Sequence, residues 1–558
     1  MKALLTLLLF SAMAWAQPQW NLMPMPASVA GGEGELVIGG GFTVAVHGDA
    51  RLQRAATRFL AQLARQTGIP ISNQLQKGDT ATLVVSAEHD AKDVQQLGED
   101  ESYSLTVTSQ SARISAPTTL GAMYGLQTFL QLVQTSPRGF VAPAVTIQDR
   151  PRFPWRGLLL DVCRHWMPVE VVKRTLDGMA VAKLNVLHWH LSEDQAVRVE
   201  SKKLRKLQEV ASAGHFYTQA EIKEIIAYAR DRGIRVVPEF DMPGHTTAWL
   251  AAYPELASGP GPYGLEHGFD TRGVMDPTRD STYKFLKKFI GEMSKLFPDA
   301  FWHSGGDEVN FKEWDGNPKI QEFKRAHNLA DDEALQAYFT GRLVDILKKH
   351  GKRMVGWDEV FDPELAKTMV VQSWRGPKSL AETARAGYDS ILSNGYYLDL
   401  AHHAADYYAV DPLGGDAASL SPAEQAHILG GEACMWAEIV SPETVDSRIW
   451  PSAAAVAEKL WSPASVNDVE SMYRRLDRFS GELEFLGVTA DANYWPMLRR
   501  LAGDGDPAAL RTLADVVEPI KDYQRHNSRP YTINTPLNRL PDAARTESQT
   551  ARNFALMV

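Results

Sequence analysis

Two acidic residues stand side by side at the end of an apolar segment, in the stretch FWHSGGDEVN at residues 301–310. Asp307 and Glu308 follow Gly305 and Gly306, and successive side chains of an extended strand point to opposite faces. Both carboxyl groups can therefore act on one bond only if the chain leaves strand geometry, which the two glycines permit. A carboxyl group placed in this way can transfer a proton to or from a reacting atom. We therefore expect the catalytic residues to lie where this strand ends and a loop begins.

The adjacency of the two acids limits which glycosidase mechanisms they can support. Retaining glycosidases normally place two carboxyl groups about 5 Å apart on opposite sides of a sugar ring, and inverting enzymes use a wider gap. Neighbouring acids fit neither arrangement. They fit a third one, in which the acetamido group of the substrate is the nucleophile, one acid protonates the leaving oxygen and the other steers the acetamide. An isolated Asp-Glu pair is more often a solvated acidic turn, so this interpretation depends on the surrounding sequence.

Several segments make this region similar to a known family. HSGGDE at 303–308 resembles the signature of the family-20 glycoside hydrolases, the β-N-acetylhexosaminidases. Four other segments resemble that family's blocks in the family's order: RGLLLDVCRHWMPVE at 156–170, KLNVLHWHLSEDQ at 183–195, GIRVVPEFDMPGH at 233–245 and GGEACMWAE at 430–438. The resemblance implies an exo-acting, retaining enzyme that removes terminal N-acetylglucosamine or N-acetylgalactosamine from glycans. It implies no metal and no other cofactor.

The resemblance assigns roles to the acid pair and its surroundings. Glu308 would be the general acid and then the general base, with a pKa raised by burial and by an ionised Asp307. Asp307 would accept a hydrogen bond from the acetamide N–H and stabilise the oxazolinium ion. His245 resembles the family histidine that supports the acid through a nearby carboxylate. The family commonly has Asp-Asp where this chain has Glu193 and Asp194, so the partner of His245 stays open.

Three tryptophans form a second group of candidates. A single buried tryptophan is usually a core residue, but Trp357, Trp374 and Trp436 each lie at the end of a predicted strand. The resemblance implies that these three residues enclose the terminal sugar and its acetamide. Tyr397 resembles the family tyrosine that binds the acetamide carbonyl, and Tyr396 beside it is the rival candidate.

Three further residues resemble the family's ligands for sugar hydroxyls. Arg164 resembles an arginine that binds the 3- and 4-hydroxyls, Glu438 an acid beside it, and Asp399 an acid that binds hydroxyls. A planar guanidinium group and a carboxylate can bracket a diol with directional hydrogen bonds. For an isolated arginine, a surface salt bridge would be the ordinary interpretation.

The elements that must position these residues follow from the pattern between residues 151 and 470. Short apolar segments alternate with amphipathic helices, which is typical of a parallel sheet with crossover helices. Eight candidate strands predict a closed (β/α)8 TIM barrel, an α/β fold, with functional residues at the C-terminal ends of the strands. The strands are predicted at 156–163, 184–191, 234–241, 300–306, 353–358, 368–374, 388–393 and 428–436.

Two segments flank the predicted barrel. Residues 17–150 contain alternating apolar patterns and two helical stretches, which predict a small non-catalytic α+β domain. Residues 471–558 predict helices that pack on the outside of the barrel, followed by a polar tail. No function could be assigned to the tail.

The N-terminus and the net charge bear on location and partners. Lys2, an apolar run and Ala14-Trp15-Ala16 match a secretory signal peptide at residues 1–16, so we expect export to the periplasm or medium. The apolar run is too short to span a bilayer. A net charge of -10 argues against nucleic acid or an anionic membrane as a partner and fits a neutral or mildly cationic ligand better. The family resemblance implies N-acetylhexosamine-terminated glycans as the partner.

Two alternative functions stay open. His188 and His190 form an HxH pattern that metal-dependent barrel amidohydrolases use, and His245 could add a third ligand. However, such enzymes need further ligands late in the barrel, where tryptophans dominate here. A non-catalytic glycan-binding protein on the same scaffold is the other alternative, and it would be marked by loss of the acids.

The chain has only two cysteines, Cys163 and Cys434. They fall on the first and last predicted strands, which become neighbours when a barrel closes. A disulfide is conceivable in an exported protein, but buried free thiols are common and we expect the thiols to be free.

Overall fold

The computed structural model describes residues 20–269, 272–555 and 557. The predicted signal peptide lies outside the described residues. The N-terminal part forms one mixed seven-stranded sheet with the order β1-β7-β4-β5-β3-β2, and β6 pairs with β7. Its strands are β1 (Ser28–Ile38), β2 (Val44–His47), β3 (Leu83–His89), β4 (Tyr103–Val107), β5 (Ala112–Thr118), β6 (Gln134–Ser136) and β7 (Gly139–Asp149).

Two helices, α1 (Ala50–Thr67) and α2 (Thr119–Leu132), pack on this sheet. The α1 helix begins where the side chain of Asp49 accepts a hydrogen bond from the amide of Leu52, and it ends at Gly68 in the left-handed conformation. Nearly every residue of α2 is buried, because α2 lies between the sheet and the rest of the protein. The result is the predicted small domain in front of the barrel.

The second part of the chain is a closed barrel of eight parallel strands, which confirms the predicted fold. Each strand pairs with its sequence neighbours, and the last closes against the first. The strands are β8 (Trp155–Asp161), β9 (Val186–His190), β10 (Arg235–Glu239), β11 (Phe301–His303), β12 (Arg353–Trp357), β13 (Val370–Ser373), β14 (Asp389–Leu392) and β15 (Ile428–Met435).

Helices of different lengths connect the barrel strands, and the last two of them follow β15. They are α3 (Val169–Val181), α4 (Lys206–Glu209), α5 (Gln219–Arg230), α6 (Thr247–Ala252), α7 (Asp280–Leu296), α8 (Lys312–Asp315), α9 (Pro318–Ala326), α10 (Asp332–Lys348), α11 (Pro377–Arg385), α12 (Ala404–Ala409), α13 (Pro422–Gln425), α14 (Val445–Ile449) and α15 (Ser452–Trp461).

The barrel interior changes from apolar to polar along its axis. One apolar side chain from each strand closes the N-terminal end, and these residues are Trp155, Val186, Val237, Phe301, Val355, Val370, Ile391 and Leu429. Above this layer the interior carries His188, Glu239, His303 and Glu432, all buried. A polar interior at the C-terminal end agrees with the position of functional sites in such barrels.

The C-terminal part of the chain adds six helices: α16 (Val469–Phe485), α17 (Tyr494–Ala502), α18 (Ala508–Ala514), α19 (Gln524–Ser528), α20 (Leu540–Ala543) and α21 (Gln549–Ala555). The α16 helix packs on α15 and α1, outside the barrel. No helix in the described part of the chain has both the length and the apolar character that crossing a membrane requires.

The two cysteines are free and buried, as expected. Strand pairing places Cys434 opposite Leu159, four residues before Cys163. Neighbouring strands therefore do not bring the two sulfur atoms level with each other.

Candidate active site

The acid pair lies just beyond β11, where two glycines turn the chain. Gly305 and Gly306 have φ values of 64° and 101°, in the left-handed region that favours glycine. A Cβ atom at Gly305 would lie 1.7 Å from Oδ1 of Asp241, so only glycine fits there. The side chain of Asp307 is 15% exposed, whereas that of Glu308 is 55% exposed. The turn thus directs Asp307 inward and Glu308 toward solvent.

A histidine lies between the two acids. Nε2 of His245 is 3.6 Å from Oδ2 of Asp307 and 3.5 Å from Oε2 of Glu308. Its Nδ1 is 2.7 Å from Oε1 of Glu193 and 4.0 Å from Oδ2 of Asp194, so Glu193 is the partner that the sequence left open. Burial opposes a charge on the ring, but Glu193 and then Asp307 outweigh it and raise the pKa of His245 well above its ordinary value. His245 is therefore a buried cation among carboxylates.

The pKa of Glu308 differs from the prediction. The protonated ring of His245, whose Nε2 lies 3.5 Å from Oε2 of Glu308, outweighs partial burial and lowers the pKa of Glu308 below its ordinary value. Burial raises the pKa of Asp307, although the charge of His245 acts in the opposite direction. The predicted increase in the pKa of Glu308 is wrong for this structure, because the side chain is 55% exposed and its carboxyl group faces a cation.

Two further acids lie near Asp307. Asp241, His245 and Asp307 place their polar atoms within 4.8 Å of one another. Burial and the charge of Asp307 raise the pKa of Asp241 well above its ordinary value, so Asp241 keeps its proton and can donate it in a hydrogen bond. Burial and the same charge raise the pKa of Glu359 to about 7. Glu359 also accepts a hydrogen bond from Nε1 of Trp374 at 3.1 Å.

The predicted aromatic residues come together at the C-terminal end of the barrel. The ring centroids of Trp357 and Trp436 are 5.7 Å apart, and those of Tyr397 and Trp436 are 6.2 Å apart. Trp374 packs against the same cluster. Tyr396 is fully buried elsewhere, and its hydroxyl donates to a backbone carbonyl at 3.0 Å. The structure therefore favours Tyr397 over its rival.

The three predicted ligands for sugar hydroxyls are neighbours. Nη2 of Arg164 lies 2.9 Å from Oε2 of Glu193 and Nη1 lies 3.3 Å from Oδ2 of Asp161, while Nε is 4.0 Å from Oε1 of Glu438. Within the described residues, Nε of Arg164, Oε2 of Glu438 and Oδ1 of Asp399 are buried without a hydrogen-bond partner. Buried polar atoms normally have partners. Because the set contains a donor and two acceptors, it suits a ligand whose hydroxyl groups supply both.

The histidines of the HxH pattern are paired with acids inside the barrel. Nδ1 of His188 lies 2.6 Å from Glu432 and Nε2 lies 2.9 Å from Glu239, whereas Nδ1 of His190 lies 2.5 Å from Glu239. Burial would lower both pKa values, but these carboxylates raise them to about 9 for His188 and about 10 for His190. A histidine must be neutral to bind a metal. The ion pairs therefore argue against the metal-hydrolase alternative.

Two protein-family descriptions match the chain in the same order as its domains. "Glycosyl hydrolase family 20, domain 2" matches residues 19–150, and "Glycosyl hydrolase family 20, catalytic domain" matches residues 153–464. The chain belongs to glycosyl hydrolase family 20. It is a glycoside hydrolase of the β-hexosaminidase class, which confirms the resemblance seen in the sequence.

Relatives of this family-20 hydrolase occur in animals and bacteria. The α subunit of beta-hexosaminidase from Bos taurus is 38% identical over 79% of this chain and 86% of its own. The structure of Flavobacterium johnsoniae chitobiase is 43% identical, with a TM-score of 0.93 over 96% of this chain and 84% of that one. The exo β-N-acetylglucosaminidase of Vibrio harveyi, solved with N-acetylglucosamine, is 28% identical, with a TM-score of 0.73 over 84% of this chain and 78% of that one.

The predicted site residues did not include Glu239, Glu359 and Tyr523, which contact them. Glu239 accepts a hydrogen bond from Nε1 of Trp357 at 2.9 Å, and Glu359 accepts one from Nε1 of Trp374. The hydroxyl of Tyr523 donates to Oδ2 of Asp399 at 2.5 Å. Glu239 and Glu359 end or follow barrel strands, so the rule that located the other candidates could have found them. Tyr523 carries no such signal in the sequence, and its contact with Asp399 brings one residue of the C-terminal segment to the site.

Proposed function

We propose that this family-20 hydrolase is an exo-acting, retaining β-N-acetylhexosaminidase whose substrate supplies its own nucleophile. The proposal depends on the opposite orientation of the two acids. Asp307 faces inward, and Glu308 faces solvent, where a leaving group can depart. The names of the relatives support a terminal N-acetylglucosamine or N-acetylgalactosamine as the sugar that binds.

In the first step, the glycosidic bond breaks with help from both acids. Glu308 donates its proton to the glycosidic oxygen as the bond between that oxygen and C1 breaks. The acetamide carbonyl oxygen forms a bond to C1 and gives an oxazolinium ion. Asp307 accepts a hydrogen bond from the acetamide N–H and balances the new positive charge. The hydroxyl of Tyr397 donates to the acetamide oxygen and aligns it for attack.

In the second step, water opens the oxazolinium ion. The carboxylate of Glu308 removes a proton from the water as its oxygen bonds to C1, and the bond between C1 and the acetamide oxygen breaks. C1 has then been attacked twice from opposite faces, so the product keeps the β configuration.

The low pKa of Glu308 is compatible with its role as the acid. The side chain of Glu308 is 55% exposed in the free enzyme. A sugar and its leaving group would cover the carboxyl group and remove water from it, which raises the pKa of an acid. Substrate binding would therefore raise the pKa of Glu308, so that the carboxyl group is protonated when it acts as the acid.

The polar wall of Arg164, Asp399 and Glu438 supports exo action. A terminal sugar presents free hydroxyl groups, and these satisfy the partnerless atoms of the wall. An internal sugar of a glycan would carry the next residue on one of these hydroxyls. The wall therefore selects the non-reducing end.

We also propose that the natural substrate is an exported or extracellular glycan. The signal-like sequence at residues 1–16 supports this location, and the net charge of -10 suits a neutral or mildly cationic glycan.

One assay tests the function directly. The enzyme should hydrolyse p-nitrophenyl N-acetyl-β-glucosaminide or N-acetyl-β-galactosaminide, and it should leave the β-glucoside, which lacks the acetamide, nearly untouched. NMR of the first product should show the β anomer. Equal rates on the glucoside, or the α anomer as first product, would exclude the acetamide as nucleophile.

A further inference from the structure

The C-terminal segment reaches the polar wall of the site at one residue. Tyr523 directly precedes α19, and its hydroxyl donates to Oδ2 of Asp399 at 2.5 Å. The two family descriptions end at residue 464. This contact therefore comes from a part of the chain that the family match does not include.

The segment is held in place on both sides of Tyr523. Asp522 and Tyr523 both have φ values of 55°, an unusual conformation for side-chain-bearing residues. Oδ1 of Asp522 lies 2.6 Å from Nε2 of His402, which follows Asp399 closely in the chain. Further along, the amide of Ile533 donates to the carbonyl of His267, between α6 and α7, at 2.9 Å. Strained backbone persists where the surroundings enforce it, often at functional sites.

The hydrogen bond from Tyr523 decides which oxygen of Asp399 is available. Oδ2 accepts from Tyr523, and Oδ1 is buried without a partner in the described part of the chain, like Oε2 of Glu438. Burial and the negative charges of Asp399 and Glu438 raise the pKa of Tyr523 well above its ordinary value, so its hydroxyl stays a donor. A carboxylate fixed through one oxygen presents the other in a defined direction.

We propose that Tyr523 is a positioning residue for substrate recognition: it holds Asp399 so that Oδ1 accepts a hydrogen bond from a hydroxyl of the terminal sugar. The C-terminal segment is then part of the substrate site. The proposal rests on the proposed function, since it deepens the role of Asp399 in binding the sugar.

The central test is Tyr523→Phe, which keeps the ring and removes the donor. For N-acetylglucosaminide, KM should rise about 10-fold with little change in kcat, because Asp399 loses the hydrogen bond that orients its other oxygen toward the sugar. The ratio of kcat/KM for the gluco and galacto substrates should also change. The matched control is Tyr531→Phe in the same segment, because the hydroxyl of Tyr531 accepts a hydrogen bond from Nε of Arg525 at 2.9 Å and not from a residue of the polar wall. It should keep the wild-type KM and ratio.

A double-mutant cycle tests whether Tyr523 acts through Asp399. Tyr523→Phe combined with Asp399→Asn should bind substrate about as poorly as Asp399→Asn alone, because the two changes remove one interaction. Losses that multiply would overturn the proposal. So would an unchanged KM in Tyr523→Phe, or a loss confined to thermal stability.

Calorimetric binding of N-acetylglucosamine separates this proposal from the proposed function. If the wild type binds the sugar without hydrolysing N-acetylhexosaminides, the proposed function fails. Weaker binding by Tyr523→Phe but not by Tyr531→Phe would still support the role of Tyr523. Equal binding by wild type and both variants would overturn it.

Discussion

Nδ1 of His245 lies 2.7 Å from Oε1 of Glu193, and this ion pair sets the charge beside the catalytic acids. Because Glu193 keeps the imidazole protonated, its opposite nitrogen presents a positive charge 3.5 Å from Glu308 and 3.6 Å from Asp307. A residue that touches neither scissile atom thus controls the protonation of the acid pair.

Replacing Glu193 should shift the pH profile of the enzyme. In Glu193→Gln the pKa of His245 falls, the ring loses its charge, and the pKa of Glu308 rises toward its ordinary value. The basic limb of kcat/KM, which reports the acid of the free enzyme, should move to higher pH. Asp194→Asn is the control, since Asp194 lies 4.0 Å from the ring and accepts instead from the amide of Thr247 at 2.7 Å. A shift of equal size in both variants would contradict the assignment of Glu193.

Asp307→Asn should lower kcat on acetamido sugars by about 100-fold or more, as expected for removing a preorganised electrostatic group. The change keeps the volume of the side chain but removes the charge that balances the oxazolinium ion. A thiazoline analogue of that ion should bind the wild type tightly and the variant much more weakly. Near-normal turnover and thiazoline affinity would make Asp307 a structural turn residue.

Glu308→Gln should lower the rate on substrates with poor leaving groups more than the rate on substrates with activated leaving groups. A nitrophenolate departs with little protonation, whereas a sugar alcohol needs a proton from the acid. Rates for a series of aryl and alkyl N-acetylglucosaminides should therefore fall more steeply with leaving-group pKa than in the wild type. Azide should not restore the rate by forming an inverted glycosyl azide. A uniform loss across the series would show that Glu308 is not the proton donor.

Treatment with EDTA should leave activity unchanged. His188 and His190 are paired with carboxylates, which keeps the rings protonated and unsuited to metal binding. The measurement is the rate on nitrophenyl N-acetylglucosaminide after dialysis against the chelator. Loss of activity that zinc restores would favour the amidohydrolase interpretation.

The stability of the fold should decrease as pH rises from about 6.5 to 9. Burial opposes a proton on His188, but Glu432 and Glu239 raise its pKa from 6.5 to about 9. In that window the folded state binds a proton that the unfolded state has lost, so the contribution of His188 to stability is fully present below pH 6.5 and is lost as pH rises to about 9. The loss is about 3 kcal/mol in order of magnitude.

Denaturant unfolding at several pH values measures this effect. His188→Gln should be less stable than the wild type at pH 6.5 but should show a flatter decrease toward pH 9. A wild-type stability that rises across this window would contradict the ion pairing inside the barrel.

The sequence alone was sufficient for the barrel and for most of the candidate site. Strands alternate with helices in a local pattern, and the end of each strand can be located from the residues around it. Because all parallel strands of a barrel point the same way, side chains such as Glu308, Trp357 and Glu438 had to meet at one end. The choice of Asp307 and Glu308 depended on their adjacency, on the apolar strand and two glycines before them, and on the resemblance of HSGGDE to the family signature.

The tertiary structure alone decided the contacts and charges of these residues. Glu193 rather than Asp194 binds His245, because ring orientation and loop geometry are not local properties of the sequence. The pKa of Glu308 decreases rather than increases, because burial and the distance to a cation depend on the whole site. Tyr523 contacts Asp399 although 124 residues separate them in the chain, and local patterns in the sequence do not predict a contact over such a separation.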